Sequence, residues 1–324
     1  MTKIFYGALA ILCAFSTANA ANFQTWSQDF QRRAIASGIP AAAVHKAFQG
    51  ITLDEKVIAL DRKQPEGHMT LTEYVERTVT PKRIATGQEK RRLYRTILSN
   101  VERNYGVPAE ILVALWGKET DFGGYTGTNE TISSLATLAY EGRRRQFFEQ
   151  ELLNAIQVMQ YLGLSPRTMK GSWAGAVGQC QFMPSNYLKY GVDGNRNGRT
   201  DLWNELEDVF PSMANLLVHE GWKRGAGWGQ RVKIPEGFDK NLIGRDKSPR
   251  DIHFWEQRGV RFNTSVPSSV THSLRLYQPD GVNGPAYALY PNFDVLMRWN
   301  HSGYFAVAVG RLADRLSQSV SYQQ

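Results

Sequence analysis

Helical periodicity in the middle of the chain is the sequence feature that most limits the possible folds. From about residue 93 to residue 225, apolar residues recur at three- or four-residue spacing, as they do on one face of a helix. The clearest case is segment 145–163, where a single stripe carries Phe148, Leu152, Ile156 and Met159. We interpret this stripe as core packing, which predicts a fold built mainly from helices.

The two flanks of this region differ from each other. Segment 21–92 has a polar helical pattern, whereas segment 229–289 is rich in glycine, proline and short alternating runs such as Val232-Lys233-Ile234. Alternation of this kind is typical of strands. The helical pattern returns in segment 290–324. We therefore predict a mainly α (α+β) chain with an N-terminal helical domain (21–92), a helical core (93–228 and 290–324) and a small β-rich inserted domain (229–289).

The first twenty residues have the pattern of an export signal. A positive start at Lys3 precedes a mostly apolar run from Ile4 to Phe15, and Ala18-Asn19-Ala20 fits a small-x-small cleavage site. The run is too short to span a membrane. We predict cleavage after Ala20 and a soluble periplasmic protein without a transmembrane segment; the alternative is a retained N-terminal helix or anchor.

The net charge of the chain indicates which type of partner it binds. The formal net charge of the 324-residue chain is +8, and it falls to +7 when the leader with its single charged residue, Lys3, is removed. A basic surface suits an anionic partner, and in the cell envelope we expect cell-wall polymer rather than nucleic acid.

Once the leader has been removed, Cys180 is the single cysteine of the sequence, so no intramolecular disulfide can form. We read Cys180 as a small buried residue rather than a nucleophile.

Glu119 is the strongest catalytic candidate. Read as a helix that opens at Pro108, its segment places Leu112, Leu115 and Trp116 on the same face as Glu119. Burial on an apolar face raises the pKa of a carboxyl group, and a nearby helix C-terminus acts in the same direction. A carboxyl that is still protonated near neutral pH can serve as a general acid. The alternative is a hydrogen-bonded or solvated glutamate at a frayed helix end.

A second candidate region lies in segment 171–185. It combines three glycines with amide, hydroxyl and aromatic side chains, among them Ser172, Trp173, Gln181 and Phe182. Glycines let a backbone approach a ligand closely, Ser172 and Gln181 can bind hydroxyl and acetamido groups, and flat rings suit sugar faces. Taken alone, the segment also fits a tight turn between packed helices. Together with Glu119, it indicates a carbohydrate-binding cleft.

These motifs, in this order, resemble the membrane-bound lytic murein transglycosylase B family, in a soluble version. The similarity is carried by segments 114–123, 171–178 and 181–185, and it continues in 193–203, 219–222 and 291–300. The resemblance implies a goose-lysozyme-like catalytic core. It also implies cleavage of the β-1,4 bond between N-acetylmuramic acid and N-acetylglucosamine in peptidoglycan. Wall-synthesis proteins are further expected partners.

The resemblance also assigns substrate contacts. Ser172 and Gln181 align with family positions that contact acetamido and hydroxyl groups, and Asn292 and Trp299 align with later cleft-lining positions. We add Phe182 as a stacking surface for a sugar ring. Leu216 stands where the family often has an aromatic residue, so one stacking contact is expected to be absent.

The sequence offers one convincing catalytic carboxyl group. Asp121 is two residues from Glu119 and so points away from it on a helix, whereas Glu130 and Glu141 lie in segments without a supporting motif. One acid is consistent with a substrate-assisted mechanism, and the family resemblance implies a 1,6-anhydromuramic product. A lysozyme-type hydrolase and a non-catalytic peptidoglycan-binding scaffold are the alternative functions.

A third motif concerns metal binding. Segment 193–198 matches the opening of an EF-hand loop, with Gly198 at the turn position. The predicted ligands of a structural calcium ion are the side chains of Asp193, Asn195 and Asn197, the backbone carbonyl of Arg199 and a later acid, Asp208. Glu207 is the alternative closing acid, and a metal-free Asx-turn loop is the alternative structure. No organic cofactor is predicted.

Overall fold

The structure is a computed structural model that describes residues 22–63 and 69–318. The predicted signal peptide lies outside the described residues. Within these two ranges, fourteen α-helices dominate, and six short strands form two small sheets. The predicted mainly helical fold class is therefore confirmed.

The helices follow one another with few long connections. In chain order they are α1 (22–36), α2 (Ala41–Ala47), α3 (Glu55–Arg62), α4 (Leu71–Thr78), α5 (Pro81–Leu93), α6 (Arg95–Tyr105), α7 (Ala109–Thr120), α8 (Thr131–Glu141), α9 (Arg145–Tyr161), α10 (Pro184–Tyr190), α11 (Leu206–His219), α12 (Ile252–Glu256), α13 (Pro291–Trp299) and α14 (Gly303–Ser317).

The strands form two antiparallel sheets. They are β1 (Asn129–Glu130), β2 (Lys170–Gly171), β3 (Gly229–Lys233), β4 (Arg261–Phe262), β5 (Arg275–Tyr277) and β6 (Ala286–Leu289). Strand β1 pairs with β2, and the second sheet has the order β4-β3-β6-β5. That second sheet covers a separate apolar core that includes Trp255, Leu274, Leu276 and Ala288. Its strands span the segment that the sequence pattern marked as β-rich.

The described chain divides into two compact units. The first comprises residues 22–63 and 126–205. Helix α9 is its centre, because α2, α8 and α10 all pack against it. The apolar stripe predicted on α9 is buried: Phe148, Leu152, Ile156 and Met159 are all at most 2% exposed.

The second unit comprises residues 69–125 and 206–318. Helix α7 is enclosed here by α5, α6, α11 and α14. The partition into two units does not coincide with the predicted domain boundaries, which stay a prediction.

No helix within residues 22–63 and 69–318 combines the length and apolar character needed to cross a bilayer.

Candidate active site

Helix α7 carries Glu119 one residue before its end. Pro108 is the residue that precedes the helix, and from Ile111 to Gly117 every residue is buried. Such a helix is fixed by its packing rather than by its own propensity. The backbone that carries Glu119 is therefore held rigidly, while the Glu119 side chain itself keeps a minor exposed fraction.

The chain leaves α7 through a tight, strained turn. Asp121 and Phe122 both adopt left-handed backbone conformations, with φ of 51° and 62°. The turn folds the Phe122 ring back onto the helix, where a Cβ atom on Gly117 would lie 2.6 Å from the ring. Non-glycine residues in this region store backbone strain, which persists only where the surrounding packing enforces it. Here the turn ends the helix at Thr120, one residue after Glu119.

Trp299 holds the Glu119 carboxyl group. The indole Nε1–H of Trp299, the last residue of α13, donates a hydrogen bond of 2.7 Å to Oε1 of Glu119. Both residues belong to the second unit, although 180 positions separate them in the sequence. Two of the predicted site residues are thus brought into direct contact.

The surroundings of Glu119 favour its protonated form. Burial raises the pKa of Glu119 from 4.5 to about 7, although the hydrogen bond from Trp299 and the positive charge of Lys118 both act in the opposite direction. A charged carboxylate loses hydration when it is enclosed, and this loss outweighs the two stabilising contacts. Near neutral pH, comparable amounts of the acid and its conjugate base are present, as general acid–base catalysis requires.

The other acids considered as catalytic partners are engaged in ion pairs. Asp121 pairs with Arg83 at 3.3 Å, and its side chain is 66% exposed. Glu130 pairs with Lys170 at 3.4 Å, and Glu141 pairs with Arg62 at 3.4 Å. These contacts agree with an active site that uses a single carboxyl group.

Segment 171–185 is a compact turn in the first unit. A Cβ atom on Gly171, Gly175 or Gly178 would collide with Ala176, Leu135 or Leu202, respectively. The glycines are therefore needed for contacts within the protein, and the expectation that they admit a ligand is replaced by this packing role. Cys180 is fully buried in the same turn, as predicted.

Ser172 and Gln181 are partly exposed and oriented by this turn. The Ser172 hydroxyl oxygen accepts a 3.1 Å hydrogen bond from the backbone N–H of Ala176, so its own hydrogen can be donated to a ligand. Gln181 has a left-handed backbone, with φ of 50°. Its side-chain amide donates to the carbonyls of Thr126 and Gly178, each at 3.0 Å. The amide oxygen is what Gln181 can offer to a sugar.

Two predicted substrate contacts lie in the core instead. Phe182 is 2% exposed, so its ring has no open face on which a sugar could stack. Asn292 is completely buried, and its amide bridges both backbone groups of Lys223, accepting at 2.7 Å and donating at 2.8 Å. We therefore correct both assignments, because an alignment position does not reveal which way a side chain is packed.

The predicted metal loop contains an acid that the sequence reasoning missed. Oε2 of Glu205 accepts hydrogen bonds from the side-chain amides of Asn195 at 2.6 Å and Asn197 at 2.8 Å. The carboxylate of Asp193 accepts from the backbone N–H groups of Asn197 and Gly198. Glu205 lies one residue beyond the position at which a glutamate usually closes such a loop. This proximity in the sequence could have identified Glu205 as a candidate ligand.

Arg199 and Asp208 complete the predicted ligand set. The guanidinium of Arg199 contacts Glu205 at 3.3 Å and Asp201 at 3.2 Å. Asp208 is completely buried on α11, and its role as a ligand stays a prediction.

Comparison with known proteins identifies the family. The model of the transglycosylase SLT domain matches residues 22–314 of this chain. The chain belongs to the SLT transglycosylase family. Over 273 residues it is 30% identical to membrane-bound lytic murein transglycosylase B of Escherichia coli (strain K12), covering 82% of this chain and 73% of that protein.

Solved structures of SLT transglycosylases have the same fold. SltB3 from Pseudomonas aeruginosa, in complex with NAG-NAM-pentapeptide, is 37% identical, has a TM-score of 0.87, and the match covers 92% of this chain and 80% of that one. The structure of SltB3 in complex with NAG-anhNAM-pentapeptide is also 37% identical and has a TM-score of 0.85. This match covers 90% of this chain and 78% of that one. The Escherichia coli lytic transglycosylase Slt35 in complex with calcium is 28% identical with a TM-score of 0.78, covering 92% and 93%.

The side chains of the loop from Asp193 to Glu205 are of the type that binds calcium, but its two amide groups are not oriented for it. Calcium prefers oxygen ligands, and the loop gathers two carboxylates and two amide groups. Among the described residues, no group of three or more His, Cys, Asp or Glu side chains could hold a metal ion. A calcium ion in this loop would therefore also need the amide groups as ligands. The nitrogens of Asn195 and Asn197 face Glu205 in this structure, and a cation would require both amides to turn their oxygens inward.

Proposed function

We infer that this protein is a lytic transglycosylase of peptidoglycan, and we propose that Glu119 is its single general acid and base. Membership of the SLT family and the similarity to murein transglycosylase B support the activity. The observation that carries the residue assignment is the enclosed carboxyl of Glu119, with a pKa of about 7 and a hydrogen bond from Trp299. The bond cleaved is the β-1,4 linkage between N-acetylmuramic acid and N-acetylglucosamine.

In the first step, protonated Glu119 donates its proton to the glycosidic oxygen. The bond from that oxygen to C1 of muramic acid breaks, and the leaving sugar departs with a new hydroxyl group. The 2-acetamido group of the substrate stabilises the positive charge that develops at C1. Trp299 occupies Oε1 of Glu119 at 2.7 Å, and we assign the proton transfer to Oε2.

In the second step, ionised Glu119 takes the proton of the C6 hydroxyl of the same sugar. The C6 oxygen forms a bond to C1, so the product is a 1,6-anhydro sugar and no water is consumed. The attacking hydroxyl is tethered to the reacting ring, and tethering replaces the binding of a separate nucleophile. The solved SltB3 complex with NAG-anhNAM-pentapeptide supports this product class.

Ser172 and Gln181 are proposed to bind the polar substituents of the sugars. Ser172 offers a hydroxyl hydrogen and Gln181 an amide oxygen, which suit an acetamido group that has both an acceptor and a donor. Trp299 is proposed to line the substrate cleft as well as to hold Glu119.

Product analysis tests the reaction and separates it from hydrolysis. Purified sacculi are digested in water enriched in heavy oxygen, and the released fragments are analysed by mass spectrometry. We expect anhydro ends, lighter than hydrolysis products by one water and without label at C1. Labelled reducing ends would make the protein a lysozyme-type hydrolase, and an absence of products would indicate a non-catalytic scaffold.

The residue assignment is tested by Glu119→Gln with a matched control on the same helix. Glutamine keeps the size and polarity but cannot exchange a proton, so we expect lysis to fall roughly a hundred- to ten-thousand-fold. Glu110→Gln makes the same chemical change in the first turn of α7, where Glu110 contacts Arg91 at 3.7 Å, and should leave lysis near the wild-type rate. Substantial activity in folded Glu119→Gln would contradict the assignment.

We also propose a structural calcium ion in the loop, with Glu205 as the closing acid. A ligand at a hundredfold excess over its Kd adds about 2.7 kcal/mol to the stability of the native state. Millimolar calcium should therefore raise the melting temperature, and Asp193→Ala or Glu205→Gln should abolish the rise. Glu207→Gln is the matched control and should keep it. An unchanged wild-type melting temperature would leave the loop as a metal-free turn.

The place of action is proposed to be the periplasm, after cleavage behind Ala20. Peptidoglycan lies in that compartment, and the leader has the pattern of an export signal. The mass of the protein recovered from a periplasmic extract should correspond to a chain that starts at Ala21. Binding to wall-synthesis proteins stays a prediction.

A further inference from the structure

Lys118, the residue before Glu119, has an unusual environment for a lysine. Its side chain is half-buried, and its ammonium donates a hydrogen bond of 3.3 Å to the hydroxyl of Tyr74 on α4. The same nitrogen lies 4.8 Å from the centre of the Tyr74 ring and 5.6 Å from that of Phe305 on α14. Within residues 22–63 and 69–318, no carboxylate forms a salt bridge with Lys118. The ammonium is thus held by aromatic rings rather than by a counter-ion.

This arrangement keeps a positive charge inside the protein. Burial lowers the pKa of Lys118 to about 8, and the nearby charge of Arg83 adds to the effect, whereas Glu119 opposes it. Contacts with aromatic faces partly replace the lost hydration of an ammonium group. Lys118 therefore remains mostly charged at the pH at which Glu119 titrates. An ammonium group that is enclosed without a salt bridge is costly to keep charged.

The charged and titratable groups around this pair come from several helices. Tyr74 lies on α4, Arg83 on α5 and Tyr304 on α14, where the ring of Tyr304 packs against that of Tyr74. Asp121 follows on the chain and is paired with Arg83.

The remaining neighbours of α7 contribute fewer charges near Glu119. Helix α13 contributes the Trp299 donor, and α11 contacts α7 through the ring of Phe210 against Trp116. The carboxylate of Glu102 on α6 accepts from Ala109, at the opposite end of α7. Among the described residues, Lys118 is therefore the positive charge that acts on Glu119, whereas Arg83 acts on Lys118.

We propose that Lys118 is a positioning residue whose ammonium, clasped by Tyr74 and Phe305, stabilises the carboxylate that Glu119 becomes after it has given up its proton. The inference rests on the proposed function of Glu119. Lys118 and Glu119 are consecutive residues of α7, and the charge of each one shifts the pKa of the other. Both side chains are only partly exposed, so water screens this interaction incompletely. The positive charge of Lys118 makes Glu119 a stronger acid in the first step. It also allows Glu119 to ionise, although burial favours the protonated form.

The test replaces Lys118 and follows the Glu119 carboxyl directly. Protein with ¹³C-labelled glutamate is titrated by NMR, and the Glu119 signal is identified by its loss in Glu119→Gln. In Lys118→Met, which is similar in length but neutral, we expect the pKa of Glu119 to rise by on the order of one unit. Lys118→Arg keeps the charge and should restore the wild-type value. Lys189→Met, which removes a lysine 4.7 Å from the Tyr190 ring, is the matched control.

The pH profile of wall lysis separates this inference from the proposed function. If Glu119 is the acid, the alkaline limb of the pH profile should move to higher pH in Lys118→Met, together with the pKa of Glu119 measured by NMR. An NMR titration unchanged in folded Lys118→Met would overturn the role of Lys118 and leave the assignment of Glu119 intact. A shifted titration without a shifted limb would support the coupling and count against Glu119 as the acid. If Lys118→Met does not fold, Lys118→Gln provides a neutral side chain that still reaches Tyr74.

Discussion

Replacing Glu119 by glutamine should stabilise the protein, and by an amount that grows with pH. In the native protein the pKa of Glu119 is raised from 4.5 to about 7. Between these values the native state binds more protons at this site than the unfolded state does. Linkage then requires the stability of the wild type to fall as pH rises through this window. Glutamine does not titrate, so the variant avoids this loss.

The size of the effect follows from the same shift. One pKa unit corresponds to about 1.4 kcal/mol, so the interval from 4.5 to about 7 sets an upper limit of about 3 kcal/mol. The Glu119 side chain keeps a minor contact with solvent, and screening reduces the value. We expect a gain of about 1 to 3 kcal/mol at pH 8 relative to pH 4.

Urea unfolding at pH 4 and pH 8 measures this difference. The free energy of unfolding of Glu119→Gln minus that of the wild type is determined at each pH, which cancels the contributions of all other titrating groups. Glu110→Gln is the control and should show no such growth. A difference that is the same at both pH values would refute the claim that burial raises the pKa of Glu119.

Two further predictions concern contacts of the second unit. Trp299→Phe removes the donor to Oε1 of Glu119, so the pKa of Glu119 should rise further and the alkaline limb of lysis should move to higher pH; an unmoved limb would speak against this contact. Asp280 accepts hydrogen bonds from the backbone N–H groups of Leu71 at 2.7 Å and Thr72 at 3.0 Å, and thereby caps α4. Asp280→Ala should cost about 1 to 2 kcal/mol in urea unfolding, with a smaller loss in Asp280→Asn, and equal stability of Asp280→Ala and wild type would exclude this capping role.

Sequence patterns predicted the helices well because periodicity reports local burial. The apolar stripe of segment 145–163 became α9, and the alternating run near Val232 became β3. Strand β6 was not predicted, since all four of its residues are buried and a short apolar run does not distinguish a strand from a helix. Its identity depends on pairing with β3 and β5.

For the candidate site, too, the sequence predicted local features but not those that depend on packing. The sequence by itself determined that Glu119 lies near the end of an apolar helix, since helix geometry fixes which residues share a face. It also placed Ser172 and Gln181 in a turn rich in glycine. It could not show that Phe182 and Asn292 are buried, because exposure depends on what packs over a side chain.

Only the tertiary structure decided the partners of Glu119. Trp299 is 180 residues away along the chain, and Tyr74 reaches the neighbouring Lys118 from 44 residues away. Contacts of this kind arise when helices that are distant in sequence pack together, and no local pattern encodes them. The pKa of an acid depends on how much water and charge surround it in space. The sequence therefore predicted Glu119 as the proton-carrying residue, and the packing of α4, α13 and α14 around α7 decided the surroundings of its carboxyl group.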